Sequence, residues 1–488
     1  MATLFEEIPF PQELIFPTVD SIFRCLKFAT DSQNITGKVD ISTKVDGQET
    51  GSERVGCLIG HVAHGKTTVV RAISGIRTTR FKCELERNIT VKLGYANAKI
   101  YKCEDERCPR PLCYKAYGSD MEDSPPCNVP GFENRKMKLL RHLSFVDCPG
   151  HEIFMTRMLS GATIMDGALL LIAANESFPQ PQTLEHWSAV DLLKIQNFIV
   201  LQNKVDLVQE EVARKQYQAI KKYIKGTVAA NAPLIPISAQ LNYNLDVVCE
   251  YIVKKISVPI RDFISPPQMI VIRSFDVNKP GSTVLELKGG VVGGSITKGV
   301  LKVNQIVELR PGILKKDASS NFICSPIYTR VASLHSEQNE LQIAVPGGLI
   351  GVGTTMDPTL SRSDRLVGQV LGQVGTLPDI FTEIKIQNIH VLSKLLGLAT
   401  SGTAQGKVSG LIKGEILLLN ISSMAAGAEV LTVKDKSAKL HLTAPVCTSL
   451  GEKVVLSRRI QGHWRLIGWA VVEDGNTLDV LATTPEFT

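Results

Sequence analysis

The sequence predicts an α/β fold: a phosphate-binding-loop domain on a doubly wound, mostly parallel sheet, followed by two β-barrel domains. Three observations carry that prediction. Short apolar runs alternate with segments of helical length from Val55 onward, a glycine-rich loop ending in Lys-Thr follows the first of those runs, and after Pro259 the texture changes to short alternating segments punctuated by glycine.

The chain has 488 residues, and a prior of roughly 150 residues per domain implies about three domains. Residues 1–50 lack a sustained period and lead into a polar run, Asp46 to Arg54, so they read as an N-terminal extension and linker. The α/β domain is expected at 51–262, with a cysteine-containing insert at 101–130. Its strands are expected at Val55–Ile59, Leu143–Val146, Ala168–Ala173, Phe198–Leu201 and Leu234–Ile237, with a helix over Glu211–Lys225. The segments Met269–Asp276, Gly289–Gly294, Gly299–Val307 and Gly347–Gly353 then predict one barrel at 263–372. Lys413–Val430 and Lys453–Arg459 fall in a second at 373–488.

Composition is that of a globular protein, 44% hydrophobic and 21% charged, which excludes disordered and fibrous classes. The apolar run Ala168–Ala174 is far short of the roughly 20 residues that span a bilayer, and Met1–Phe16 lacks the basic start and apolar stretch of a secretory signal. A cytoplasmic protein with no membrane contact and reduced cysteines is the expectation. The net charge of +6 permits a polyanionic partner without requiring one.

The loop Gly60-His61-Val62-Ala63-His64-Gly65-Lys66-Thr67, followed by Thr68, matches G-x-x-x-x-G-K-[ST] between a strand and a helix. Its backbone N–H groups converge on phosphates, Lys66 adds charge, and the Thr67 hydroxyl suits Mg²⁺. Alone the loop is only suggestive, but three more elements follow in order. Asp147-Cys148-Pro149-Gly150-His151 sets a carboxylate at a strand end, then a glycine whose backbone approaches a γ-phosphate closely. Asn203-Lys204-Val205-Asp206 and Ser238-Ala239-Gln240 end the next two predicted strands, where an open α/β sheet binds ligands.

The base follows from Asp206, whose carboxylate can accept from both the ring N–H and the amino group of guanine, whereas adenine would turn a lone pair toward it. The Lys204 stem lies along the purine, Asn203 ties the base loop to the phosphate loop, and the Ala239 N–H meets the guanine carbonyl. The ligands expected are therefore GTP and GDP.

These motifs resemble the translational GTPases. Glu84-Leu85-Glu86-Arg87-Asn88-Ile89-Thr90 with Lys92-Leu93-Gly94-Tyr95-Ala96 is similar to the first switch of the initiation-factor-2 gamma family, and Ala63 fits that family's eukaryotic branch. Ser274–Gly281, Pro346–Gly353 and His463–Trp469 extend the likeness through the later domains, from about Val55 to Trp469. The resemblance implies that Thr90 closes over Mg²⁺ and the γ-phosphate, and that His151 orients the attacking water. It also implies partners: alpha and beta subunits, methionyl initiator tRNA, the small ribosomal subunit, and GTPase-activating and nucleotide-exchange factors. The alternatives are an elongation-type or selenocysteine-type tRNA carrier, or a regulatory paralogue that keeps nucleotide but not initiator tRNA. The cation-poor stretch Val391–Thr400 and the loop Ser401–Lys407 bear on the last of these.

Cys103, Cys108, Cys113 and Cys127 sit in the insert among prolines. Four thiolates can hold Zn²⁺ tetrahedrally, but the spacing lacks the paired C-x₂-C knuckle, and a zinc site and a metal-free loop both remain open. The other cysteines read as small buried hydrophobes.

Overall fold

The computed structural model describes residues 44–45, 48–49, 54–79, 84, 90, 92–392, 408–478 and 480, apart from short breaks within 152–338. The N-terminal extension, residues 85–89 of the segment similar to a first switch, and the stretches Ser393–Thr400 and Ser401–Lys407 lie wholly or almost wholly outside the described residues.

The first domain is a seven-stranded sheet. Its strands are β1 (Arg54–Gly60), β2 (Gly94–Cys103), β3 (Tyr114–Gly118), β4 (Met137–Asp147), β5 (Gly167–Ala173), β6 (Phe198–Asn203) and β7 (Leu234–Pro236), in the spatial order β3-β2-β4-β1-β5-β6-β7. β4, β1, β5, β6 and β7 pair in parallel, as expected of a doubly wound sheet, while β2 and β3 add an antiparallel edge. The helices are α1 (Lys66–Ser74), α2 (Met155–Ala162), α3 (Pro181–Leu192), α4 (Glu210–Ile224) and α5 (Leu245–Lys255). β5 and β6 are buried at every residue, so both faces of the sheet are covered and the strands read as continuous apolar runs. Helix α4 instead buries Ile220 and Ile224 on one stripe and presents Lys and Glu elsewhere.

The cysteine insert differs from the loop that its prolines suggest. β2 runs through Lys102 to Cys103, and β3 follows Cys113 directly, so the insert is an antiparallel extension of the sheet. Pairing with β4 across ten residues stabilises β2, a long-range contact that local pattern does not announce.

The second domain closes a six-strand ring. In spatial order it runs β8 (Gln268–Phe275), β9 (Val291–Lys298), Leu349–Thr354, Phe322–Ser336, Ile306–Lys316, Val370–Gln373 and back to β8. The third is a closed six-stranded barrel between Ile380 and Leu478, ending in the hairpin Lys453–Ile460 and His463–Leu478. Each barrel has its own apolar core, centred on Val271, Val331 and Leu371 in one and on Ile384, Leu419 and Leu456 in the other.

Polar contacts join each pair of domains. Lys92 Nζ meets Asp364 Oδ2 at 2.6 Å, and Arg273 binds Asp364 Oδ1 at 3.2 Å while donating to the Leu93 carbonyl at 3.2 Å. Ser423 Oγ donates to the Val271 carbonyl across the two barrels. Arg465 Nη1 reaches Glu185 Oε1 at 2.6 Å, with side chains 7% and 5% exposed. Losing one partner of such a buried pair costs on the order of 3–5 kcal/mol, because the other charge stays behind without compensation. Among the described residues, no helix is long and apolar enough to cross a membrane.

Candidate functional site

The site is built where β1, β4, β5 and β6 end on the same edge of the sheet. β1 stops at Gly60, whose φ of 145° is one that only glycine adopts freely; a Cβ there would lie 2.5 Å from the Leu171 carbonyl oxygen. The chain then loops through Ala63, itself left-handed at φ 61°, to Gly65 at φ 93°, and enters α1 at Lys66. The loop therefore ends at a helix N-terminus, whose free N–H groups and positive dipole end suit an anion.

Lys66 folds back over this loop. Its Nζ donates to the carbonyls of Gly60 at 2.8 Å and His61 at 2.7 Å. Gly150 comes so close that a Cβ would stand 3.0 Å from the backbone of both Gly60 and His61, besides displacing that ammonium, so glycine suits the close approach of the second loop to the first.

Asp147, at the end of β4, is completely buried. Its Oδ2 accepts from Thr67 at 2.6 Å and from Thr78 at 2.7 Å, and Thr67 Oγ1 lies 3.2 Å from Thr90 Oγ1. Burial pushes the carboxyl above its ordinary range, while the two hydroxyls and the Lys66 charge pull it back. Its Oδ1 is buried without a hydrogen-bond partner, a group that asks for a cation or a water shell.

The two loop histidines are fixed from behind. His64 Nδ1 donates to the Leu171 carbonyl at 2.9 Å, which leaves Nε2 facing Glu176 Oε2 at 3.1 Å, and a proton must lie between those two groups for the contact to hold. Burial lowers the pKa of His64 and the Leu171 carbonyl and Glu176 pull it back up; burial likewise lowers that of His61.

Asn203 ties the base loop to the phosphate loop as its motif predicts, Nδ2 donating to the His64 carbonyl at 2.9 Å, whereas its Oδ1 accepts at 3.1 Å from the Ala239 N–H that the sequence assigns to the guanine carbonyl. Lys204 is left-handed at φ 63° and starts the short turn Val205–Leu207, which presents Asp206 to solvent.

A cleft of about 450 Å³ opens onto these groups. It is lined by Val62, Ala63, Gly65, Lys66, Thr67, Thr68, Thr90, Gly150, His151, Lys204 and Gln240, all expected from sequence. Gly60, His64, Asp147, Asn203, Ser238 and Ala239 stand behind that lining as buried supports, His61 is half-buried, and Asp206 is exposed and outside the lining. Arg71, Arg77 and Thr79 also line the cleft, and Thr78 holds Asp147; sequence reasoning missed all four. Thr78 is 69 positions from Asp147, and no spacing pattern could have paired them.

The structure gathers three of the four insert cysteines. The sulfurs of Cys103, Cys108 and Cys127 lie within 4.8 Å of one another, all buried, while Cys113 is outside that group. Cys113 shares only a backbone bond with Cys103, and its thiol feels Lys102, Glu250 and Arg110 instead. Burial and the neighbouring thiols push Cys108 up to about 12. Cys148, Cys249, Cys324 and Cys447 are buried as small hydrophobes; Cys25 and Cys83 lie outside the described residues.

Three family models match consecutive parts of the chain: the elongation factor Tu GTP-binding domain at residues 52–258, elongation factor Tu domain 2 at 289–372, and the C-terminal domain of initiation factor eIF2 gamma at 382–472. The bacterial selenocysteine-specific elongation factor EF-Sec superposes with a TM-score of 0.63 at 19% identity, covering 86% of this chain and 58% of that one. The SelB elongation factor of Methanococcus maripaludis, bound to a GTP analogue, gives 0.61 at 19%, covering 87% and 80%. At that identity the likeness shows a shared fold and nothing more. Sequence relatives are much nearer. The eukaryotic translation initiation factor 2 subunit gamma of Schizosaccharomyces pombe is 61% identical over 422 residues, 86% of this chain and 94% of that protein. Subunit 3 of the same factor from Drosophila melanogaster is 59% identical over 86% of this chain and 88% of its own length. A guanine-type nucleotide site on an α/β domain, two barrels, and near 60% identity along most of the sequence together make this chain a GTPase of the eukaryotic translation initiation factor 2 gamma family.

Proposed function

We propose that the chain is the GTP-gated carrier of methionyl initiator tRNA, acting in the cytoplasm within a heterotrimer with alpha and beta subunits and delivering to the small ribosomal subunit. Hydrolysis accompanies start-codon recognition, accelerated by an activating factor and reset by an exchange factor. The observation that carries this reading is the identity near 60% to initiation factor 2 subunits over most of the chain.

The residues assign themselves to roles. Lys66 and the loop amides from Val62 to Thr68 hold the phosphates, while Asn203, Lys204, Asp206, Ser238, Ala239 and Gln240 form the guanine loop. Thr67, Thr90 and Asp147 fit a Mg²⁺ ion and its water shell: they are hard oxygen donors, and the Asp147 Oδ1 has no other partner. When bound, the ion neutralises charge between the β- and γ-phosphates. His151, on the cleft wall beside Gly150, orients the attacking water.

The interdomain contacts supply a means of coupling the nucleotide site to the second domain, and on this reading to tRNA. Two residues beyond Thr90, Lys92 is paired with Asp364 of the second domain, and Arg273 joins that same carboxylate to the Leu93 carbonyl. A γ-phosphate that draws Thr90 inward therefore pulls on a barrel, and the two binding equilibria become reciprocal. Filter binding with a GTP analogue and with GDP tests this: methionyl initiator tRNA should bind at least about tenfold tighter in the GTP state, with affinity falling steeply as salt rises. Normal nucleotide binding and subunit assembly with no tRNA binding in either state would identify a regulatory paralogue instead.

Zn²⁺ is proposed for the insert on three cysteines rather than four. Burial raises the pKa of Cys108 and Cys127, and a divalent cation relieves that cost by taking the gathered thiols as thiolates. Metal analysis of purified protein should find about one zinc per chain, lost in Cys108→Ala and kept in Cys113→Ala. Zinc lost equally from both variants would restore the four-cysteine set.

A further inference from the structure

We infer that helix α3 carries a two-residue clamp on the phosphate loop, in which His186 positions Gly60 and Glu185 makes that position depend on the docking of the third domain. His186 is 1% exposed, and its Nδ1 lies 3.2 Å from the Gly60 amide nitrogen. An amide N–H can only donate, so Nδ1 carries the lone pair and the ring proton is on Nε2. Burial, followed by the Lys66 charge, lowers the imidazole to about 3, so it stays neutral and remains an acceptor at any working pH.

Gly60 is thereby gripped on both sides. Its N–H is taken by His186 and its carbonyl by Lys66, and on the third side the Leu171 carbonyl leaves no room even for a methyl group. Without His186 the Gly60 N–H would be buried and unpaired, and the loop would shift to find a partner. Lys66, which reaches the phosphates of a bound nucleotide, shares that loop, so its aim depends on the grip.

The residue before His186 faces another domain. Glu185 accepts from Arg465 on the last hairpin of the third barrel, and both groups are nearly closed to solvent. Consecutive residues of one helix move together. If the third domain withdraws, Glu185 loses the guanidinium that balances its buried charge, α3 shifts to move that charge toward water, and His186 is carried off Gly60. Trp187 stacks on Phe198 of β6, with ring centroids 6.4 Å apart and planes 10° from parallel, so α3 otherwise sits on the sheet as a rigid body.

The test is release of a fluorescent N-methylanthraniloyl-GDP from the full chain, followed by stopped flow, with a melting curve for each variant. His186→Leu should release about tenfold faster, and His186→Asn, whose Oδ1 stands where Nδ1 stood, should return to near the parent rate. Arg465→Leu should accelerate release severalfold alone and add nothing in the His186→Leu background. Glu185→Gln, which keeps an acceptor but loses the charge, should give a smaller acceleration and serves as the second variant if Arg465→Leu does not fold. A purely structural role would lower the melting temperatures and leave release unchanged. His186→Asn releasing as fast as His186→Leu would overturn the positioning role. Parent-rate release from the Arg465 or Glu185 variants, or additive effects with His186→Leu, would overturn the coupling.

Discussion

Lys66→Ala is expected to cost on the order of a thousandfold in GTP affinity, since an ammonium making two charge-assisted contacts supplies about 1.5–3 kcal/mol through each. In the structure that ammonium is satisfied by the Gly60 and His61 carbonyls at 2.8 and 2.7 Å, which hold it in place before phosphate arrives. His151→Ala should behave oppositely, because its imidazole lines the cleft beside Gly150 and the role proposed for it is to act on water in the transition state. Nucleotide should stay bound while stimulated single-turnover hydrolysis slows by about a hundredfold. Calorimetric titration reads the first effect and quenched flow the second. GTP binding by Lys66→Ala within a few-fold of the parent would remove the lysine from the phosphate site.

Asp206→Asn should exchange one purine for another. The carboxylate pairs with two donors on guanine, whereas an amide presents one acceptor and one donor, which matches xanthine. GTP affinity is expected to fall by roughly a hundredfold or more, with xanthosine triphosphate gaining what GTP loses. The effect sits at the low end of the range for a polar specificity group because Asp206 is exposed and water can serve part of the carboxylate. Competition binding with both triphosphates measures the exchange, and an unchanged preference for GTP would place guanine recognition elsewhere.

The role of His151 comes from the family resemblance, whereas Lys66 and Asp206 are residues that the sequence names unaided, and the reason is locality. The phosphate loop from Gly60 to Thr68 and the element Asn203–Asp206 each work through consecutive backbone and side-chain groups, so their chemistry is written in consecutive letters. The parallel strands were legible for a related reason: β5 and β6 are buried on both faces, and burial on both faces spells an unbroken apolar run. By itself, then, the sequence determined the fold class, the guanine nucleotide and the family resemblance that near-60% relatives bear out. Tertiary structure decided what depends on pairs far apart in the chain. It joined Thr78 to Asp147, His186 to Gly60 and Arg465 to Glu185, and it separated Cys113 from three cysteines that share its segment. It also built the insert onto the sheet through β2, which pairs with β4, and β3, which pairs in turn with β2. A hydrogen bond across 69, 126 or 280 positions leaves no periodic trace, because each residue fits its own surroundings equally well without its partner; only the packed chain brings the two to bonding distance.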